Sequence, residues 1–181
     1  MYQELRDLQF AFLNTKVRVV ALKEVPEIQL VGFTVGPFTT GEEYEIYYWV
    51  AEELEKEGLV KICEEAVLTV EQVEKLRLIQ SIQKGLKLIS LPTNFYCMAR
   101  RLLTRLRSDQ TLEGLKKYER AKRALDDLIS MRLAILVQLA LLDLPKPPEE
   151  LDEAEKVLYL KIRELNIQWK EAILEGEKQN G

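Results

Sequence analysis

Acidic side chains crowd together in two neighbouring stretches of the chain, and carboxylates at this density are the first candidates for chemistry. They are Glu42, Glu43 and Glu45, followed by Glu52, Glu53, Glu55 and Glu57. Paired carboxylates can hold Mg²⁺ for phosphoryl transfer. On a helix, however, Glu52 and Glu53 diverge by about 100°, and nothing else in the sequence completes a ligand set. We interpret both stretches, and the Asp126-Asp127 pair, as solvated surface.

Other residue types that usually carry catalysis are missing or isolated. The chain has no histidine, which removes the usual general base, metal ligand and pH switch. Cys63 and Cys97 stand apart, with no CxxC spacing, so we expect buried, reduced thiols. The glycine-bearing stretch 32–36 lacks the spacing of a phosphate-binding loop. We therefore predict no catalytic residue, no cofactor and no metal; an enzyme that uses lysine and glutamate is the weakest of the alternatives.

Basic charge is concentrated between residues 100 and 123, where nine cations stand against three acids in a chain whose net charge is −4. The cations are Arg100, Arg101, Arg105, Arg107, Lys116, Lys117, Arg120, Lys122 and Arg123. The first four are candidate contacts to DNA phosphates or to acidic partner proteins. Because no aromatic residues interleave with them and no DNA-binding motif is present, we expect any contact with DNA to be indirect. A stand-alone nucleic-acid-binding module is the alternative interpretation.

The elements that must position these residues fall into two groups. Leu5, Leu8 and Phe12 predict a short helix that ends at Asn14. Apolar and β-branched runs over 16–22 and 28–33 predict two strands joined by a turn, and a glycine-rich loop follows. The spacing over 44–56 predicts a helix, and 59–63 another strand. Together they predict a small β-rich domain over 1–63.

Helical periodicity dominates the remainder. Thr69 and Gln72 have capping-box spacing at the start of one helix, and Thr93 or Asn94 can begin a second after Pro92. A third is predicted over 112–142, and the proline-rich stretch from Pro145 separates it from a last helix. We predict an α-helical bundle domain over 64–181, and therefore an α+β chain with its β-rich part first.

The third of these helices carries more apolar residues than one face of a small bundle needs. Five leucines are candidates for contact with another subunit: Leu125, Leu128, Leu133, Leu136 and Leu139. Arg132 falls on the same apolar stripe. Since an unpaired buried charge is costly, we predict that Arg132 forms a structural ion pair.

Two further expectations concern the setting of the protein. The longest apolar run, 133–142, is too short to cross a bilayer, and the first residues do not resemble a secretory signal, so we expect a cytoplasmic protein without membrane contact. Abundant glutamate and lysine favour a thermophilic source.

Three stretches resemble one known family. Residues 30–41 (LVGFTVGPFTTG), followed by Glu45 and Trp49, are similar to the signature of GINS complex subunits of the two-and-three type, with Gly36, Pro37, Phe38 and Gly41 forming its turn. Residues 91–96 (LPTNFY) are similar to the family's entry into a leucine-rich helix, and 132–134 (RLA) is a weaker match.

The resemblance implies a non-enzymatic replication protein. It implies a small domain before a helical domain. Glu42-Glu43-Tyr44 stands where many eukaryotic members of the family have a proline-bearing segment, and this difference favours the archaeal form of the family. It also implies assembly with a sister GINS subunit into a 2:2 heterotetramer, which would link the MCM replicative helicase to a RecJ-like nuclease near the nucleoid. Under this resemblance, the mechanism is positional and rests on binding at interfaces.

Overall fold

The structure, a computed structural model, describes residues 1–63, 67–142 and 144–174. The chain divides into two compact units, one formed by residues 7–68 and the other by residues 1–6 together with the chain from residue 69 onward. The predicted domain boundary after residue 63 stays a prediction, because it adjoins residues 64–66, which lie outside the described residues. Each unit is described by itself below.

The smaller unit is built around a three-stranded antiparallel sheet in which β1 lies between β4 and β5. A separate hairpin is formed by β2 and β3. The elements in chain order are α1 (Tyr2–Leu13), of which residues 2–6 belong to the larger unit, β1 (Lys16–Ala21), β2 (Ile28–Leu30), β3 (Phe33–Val35), β4 (Glu43–Tyr47), α2 (Tyr48–Lys56) and β5 (Val60–Ile62).

Alternation of side chains across the sheet places its core on the face covered by α2. Val19 and Ala21 of β1 are buried, and so are Ile46 of β4 and Val60 of β5. Helix α2 contributes Leu54 to the same core. In a strand successive side chains point to opposite faces, so the intervening Lys16, Arg18 and Glu45 remain at the surface.

Two local predictions for this unit were wrong. Residues 43–47 form strand β4 rather than the first turns of a helix, because their backbone pairs with β1, and this non-local pairing overrides the helical spacing of the apolar residues. The run 28–33 is not one strand: it is broken at Val31-Gly32, where Gly32 has φ of +90° and the chain reverses into β3. Among the described residues, β2 pairs with β3 and not with β1.

The larger unit is helical. Its elements are α3 (Val70–Ser81), α4 (Phe95–Ser108), α5 (Leu112–Leu141) and α6 (Glu153–Leu174). Helix α5 packs against each of the other three. Leu128 and Leu136 of α5 are almost wholly inaccessible, as are Val73 of α3, Phe95 of α4 and Tyr159 of α6.

The helix starts follow from local side-chain chemistry. The predicted capping box is confirmed. The backbone N–H of Gln72 donates to the Thr69 hydroxyl oxygen, and the backbone N–H of Thr69 donates to Gln72 Oε1. Thr111 caps α5 in a similar way by accepting a hydrogen bond from the Gly114 amide at 2.9 Å. The predicted α+β class, with the β-rich part before a helical bundle, is confirmed. Among the described helices, none is both long enough and apolar enough to span a bilayer.

Candidate functional site

The helical bundle is organised around a buried cluster of polar side chains at Arg132. Arg132 is 1% exposed and donates to both carboxylate oxygens of Glu155, from Nε to Oε1 at 2.6 Å and from Nη2 to Oε2 at 2.7 Å. Arg132 Nη1 donates to Gln80 Oε1 and to the carbonyl oxygen of Ile89, and Nη2 also donates to the carbonyl oxygen of Glu150. All five N–H donors of the guanidinium therefore have an acceptor.

Glu155 is equally well satisfied. Its Oε1 also accepts a hydrogen bond from the Tyr96 hydroxyl at 2.6 Å, and its Oε2 accepts one from the Asp152 amide at 3.0 Å. With Arg132 these contacts fill about four lone-pair positions, which is the full capacity of a carboxylate. The cluster thus joins α5 to α3 through Gln80, to α4 through Tyr96 and to the start of α6.

The environment of the cluster shifts the pKa values of its members. Burial, together with the neighbouring Glu155 carboxylate, raises the pKa of the Tyr96 hydroxyl well above its usual range. Burial alone would lower the pKa of Arg132, but the hydrogen bonds and charge of Glu155 outweigh it and raise the pKa. With both pKa values raised, Arg132 stays charged and Tyr96 stays neutral. The arrangement suits a structural cross-link, because it leaves Arg132 and Glu155 no free donor or acceptor for a reactant.

The five leucines predicted as subunit contacts do not all lie at the surface. Leu125, Leu128, Leu136 and Leu139 are buried within the chain's own bundle, where they line the α5 face that also carries Arg132. Only Leu133 is exposed, at 41%. The buried four hold the bundle together, and a partner could reach only Leu133 among the five.

Helix α5 carries a second apolar row, which helical periodicity in the sequence did not separate from the first. It contains Ile129, Leu133, Val137 and Leu141, spaced by four residues, and we call it the outer α5 stripe. Ile129, Leu133 and Leu141 are each at least two-fifths exposed. A third apolar row lies near the end of α6, where Leu165, Trp169 and Ile173 are about two-thirds exposed.

The basic residues predicted as DNA or partner contacts lie on α4. Arg100, Arg105 and Arg107 are exposed and Arg101 is half-buried. The other basic residues of the segment are on α5, where Arg120 forms two hydrogen bonds with Glu74 of α3, at 3.1 and 2.7 Å. The segment is therefore spread over two helices.

The predicted signature turn packs tightly in the smaller unit. The Gly36–Pro37 peptide bond is cis, Gly36 has φ of +86°, and Phe38 is buried with its ring against Tyr44 at 4.8 Å between centroids. The Gly41 amide donates to the Ala21 carbonyl, which ties the loop to β1. Trp49 is half-buried and meets Phe33 edge-on. These five signature positions shape the unit.

The acidic stretches do not assemble a metal site. Glu43 and Glu45 face Arg18 and Lys16 across the sheet, each pair 3.7 Å apart, while Glu53 pairs with Lys56. Among the described residues no group of three or more potential ligands converges. Cys63 and Cys97 are half-buried free thiols, and burial raises the pKa of Cys97.

A helical bundle that is cross-linked by the satisfied Arg132–Glu155 cluster and carries exposed apolar rows is typical of the class of proteins that assemble with others. Residues 67–174 match the family model of the GINS complex protein helical bundle domain. The chain belongs to the GINS family, a family of non-catalytic scaffold proteins of DNA replication whose members associate with other GINS subunits. No curated protein matches the chain.

Proposed function

We propose that this chain is the two-and-three type subunit of an archaeal GINS complex and that it works as a scaffold without catalytic activity. It assembles with a sister subunit into a 2:2 heterotetramer in the cytoplasm, associated with the nucleoid. The heterotetramer links the MCM helicase to a RecJ-like nuclease. The resemblance of residues 30–41 to the family signature supports this subunit type, and so does the order of a β-rich part before the bundle.

Two of the resembling stretches meet in the structure. Tyr96 belongs to the stretch 91–96 and Arg132 to the stretch 132–134, and both contact Glu155. Two of the three resembling stretches therefore contribute a side chain to the cluster that fixes α4, α5 and α6 to each other. This supports the interpretation that they serve the architecture of the bundle and the surfaces it displays.

The observation that carries the proposal is the outer α5 stripe. A single bundle covers one face of α5, yet a second row of large apolar side chains runs along the same helix at the surface. Covering a leucine side chain contributes about 1.5 to 3 kcal/mol relative to leaving it in water. Such a row is the kind of surface that a permanent partner covers. We assign it to the sister subunit.

The mechanism that follows is positional. Binding free energy at the outer α5 stripe holds the subunits together, and the rigid bundle presents the remaining surfaces at fixed positions. The assembled complex binds the competent state of the helicase more tightly than its other states. This difference in affinity shifts the helicase toward the competent state. No bond is made or broken in this chain.

Light scattering of the chain mixed with its sister subunit tests the assignment. We expect the wild-type mixture to form a complex with two copies of each chain. The double variant Leu133→Glu with Leu141→Glu should weaken that complex by about tenfold or more, since covering the exposed part of the two leucines contributes about 1.4 kcal/mol or more in total.

The matched control is Leu78→Glu with Ile82→Glu, which places the same two charges on exposed apolar positions at the end of α3. We expect this control to assemble normally. Normal assembly by the Leu133 and Leu141 variant would show that the interface lies elsewhere, and a wild-type chain that never binds a sister subunit would reject the proposed function.

A further inference from the structure

A charged groove runs between α3 and α5 on the surface of the bundle. Its volume is about 510 Å³, and seven of its eight lining residues carry a charge. The lining residues are Glu74, Arg77, Lys116, Glu119, Arg120, Arg123, Ala124 and Asp127. Four cations thus face three carboxylates within one depression, which we call the α3–α5 groove.

Two ion pairs already cross this groove. Arg120 Nη2 lies 2.7 Å from Glu74 Oε2, and Arg77 Nη1 lies 3.8 Å from Asp127 Oδ2. These pairs use two of the cations and two of the carboxylates. They join α3 to α5 across the groove.

Two cations of the groove are left over. The side chains of Lys116 and Arg123 are exposed and form no ion pair or hydrogen bond with any other residue that the structure describes. They flank Arg120, four residues before it and three residues after it, so all three project from one side of α5. Seven residues of α-helix separate Lys116 from Arg123 by about 10 Å along the axis.

The chemistry of the groove favours a protein ligand over a nucleic acid. A phosphate backbone would press a continuous line of negative charge against Glu74, Glu119 and Asp127. A polypeptide carries separate carboxylates and also N–H groups, from which the remaining groove carboxylate, Glu119, can accept hydrogen bonds. Two acidic side chains that lie about 10 Å apart on one face occur seven residues apart in a helix.

We propose that the α3–α5 groove binds an acidic protein segment, with two of its carboxylates paired to Lys116 and Arg123. The inference does not depend on the proposed function, because it concerns a surface separate from the outer α5 stripe. A partner held here would be selected by the spacing of its charges, and its binding would weaken as salt is raised.

Fluorescence anisotropy at about 0.15 M ionic strength, where charges more than about 8 Å apart are largely screened, tests the proposal with two labelled probes, deca-glutamate and decathymidylate. Wild-type chain should bind deca-glutamate more tightly than decathymidylate. Lys116→Glu with Arg123→Glu should weaken deca-glutamate binding by about tenfold or more, which corresponds to about 1.4 kcal/mol. The neutral double variant Lys116→Gln with Arg123→Gln should also bind deca-glutamate more weakly than wild type, by a smaller factor. It replaces the charge-reversed variant in the test if that variant folds poorly.

The control is Arg105→Glu with Arg107→Glu on α4, which changes the net charge by the same amount outside the groove. We expect it to lose less than about threefold in affinity, because separated exposed charges interact weakly. Equal losses in both pairs would overturn the proposal in favour of general attraction to a basic segment. Tighter binding of decathymidylate, lost on mutation of Lys116 and Arg123, would overturn it in favour of a nucleic-acid groove.

Discussion

Arg132 and Glu155 form a two-bond ion pair, 2.6 and 2.7 Å long, in the interior of the helical bundle, where both side chains are at most 6% exposed. They come from different helices, α5 and α6. Every further donor of Arg132 and the remaining acceptor positions of Glu155 are satisfied by neighbours. The pair therefore sets the position of α6 against α5, and with it the arrangement of the exposed apolar rows on both helices.

Breaking this pair from one side should destabilise the bundle strongly. Glu155→Gln removes the negative charge but leaves the Arg132 guanidinium buried, and removal of one partner of a buried pair costs about 3 to 5 kcal/mol. We expect a loss of that size in the free energy of unfolding, measured by guanidinium chloride denaturation.

The control for this prediction is Glu153→Gln, two residues earlier on α6. Glu153 pairs with Lys156 at the surface, 2.6 Å apart, and exposed pairs contribute about 0 to 1 kcal/mol. A Glu155→Gln variant as stable as the Glu153→Gln variant would show that the cluster does not hold the bundle together.

The cluster also shows what the sequence could predict and what it could not. The position of Arg132 on an apolar stripe was enough to predict an ion pair, because a buried cation needs an acceptor. Its partner could not be predicted, since five acids crowd the stretch 149–155 and only the exact start of α6 decides which of them points inward.

Local contacts could be predicted from the sequence, and contacts between distant residues could not. The capping box at Thr69 was predictable because both partners lie within four residues of each other. Strand β4 was not, because its pairing with β1 joins residues more than twenty positions apart. The five leucines were assigned to a partner because periodicity identifies apolar rows without showing which row the chain itself covers. Leu133 differs from the four buried leucines only in facing outward.

The raised pKa of Tyr96 makes bundle stability depend on pH in the alkaline range. Below the ordinary tyrosine value of 10.0 the hydroxyl is protonated in the folded and unfolded chain, and its contribution is fully present. As the pH rises above 10, the unfolded state releases this proton while the folded state keeps it. Stability should therefore fall with pH, by at most about 1.4 kcal/mol per pH unit from this one group.

Urea unfolding of wild type and Tyr96→Phe at a series of pH values between about 8 and 11 measures this effect. The variant is expected to be less stable at neutral pH, because it no longer donates to Glu155. Its stability should nevertheless fall less steeply above pH 10 than that of wild type. Parallel curves for the two proteins would show that Tyr96 ionises alike in both states.

Tyr159 presents the opposite situation to Arg132. Its side chain is 0% exposed among Leu136, Leu139, Ala140 and Leu151, and its hydroxyl has no hydrogen-bond partner among the described residues. A buried polar group without a partner costs about 1 to 3 kcal/mol. We expect Tyr159→Phe to raise the free energy of unfolding by about 1 kcal/mol, measured by thermal and urea denaturation.

The control for Tyr159 is Tyr118→Phe on α5, where the side chain is half-buried and its hydroxyl can reach solvent. This change should alter stability by less than about 0.5 kcal/mol. A Tyr159→Phe variant that is clearly less stable than wild type would mean that the hydroxyl makes a hydrogen bond in solution, for example to a buried water molecule.

Gly36 and Gly41 allow backbone conformation to be separated from side-chain space in the signature turn. Both have φ of +86°, so alanine at either position should cost about 1 to 2 kcal/mol. At Gly36 an added Cβ would also lie 3.1 Å from Cδ2 of the buried Phe38 ring, whereas at Gly41 nothing lies within 4 Å. Gly36→Ala should therefore destabilise the smaller unit more than Gly41→Ala, by about 1 kcal/mol or more, because the Phe38 ring must move.

Amide hydrogen exchange in β1 and β4 measures this difference within the smaller unit. Equal protection in the two variants would show that the Phe38 ring moves aside without loss of stability.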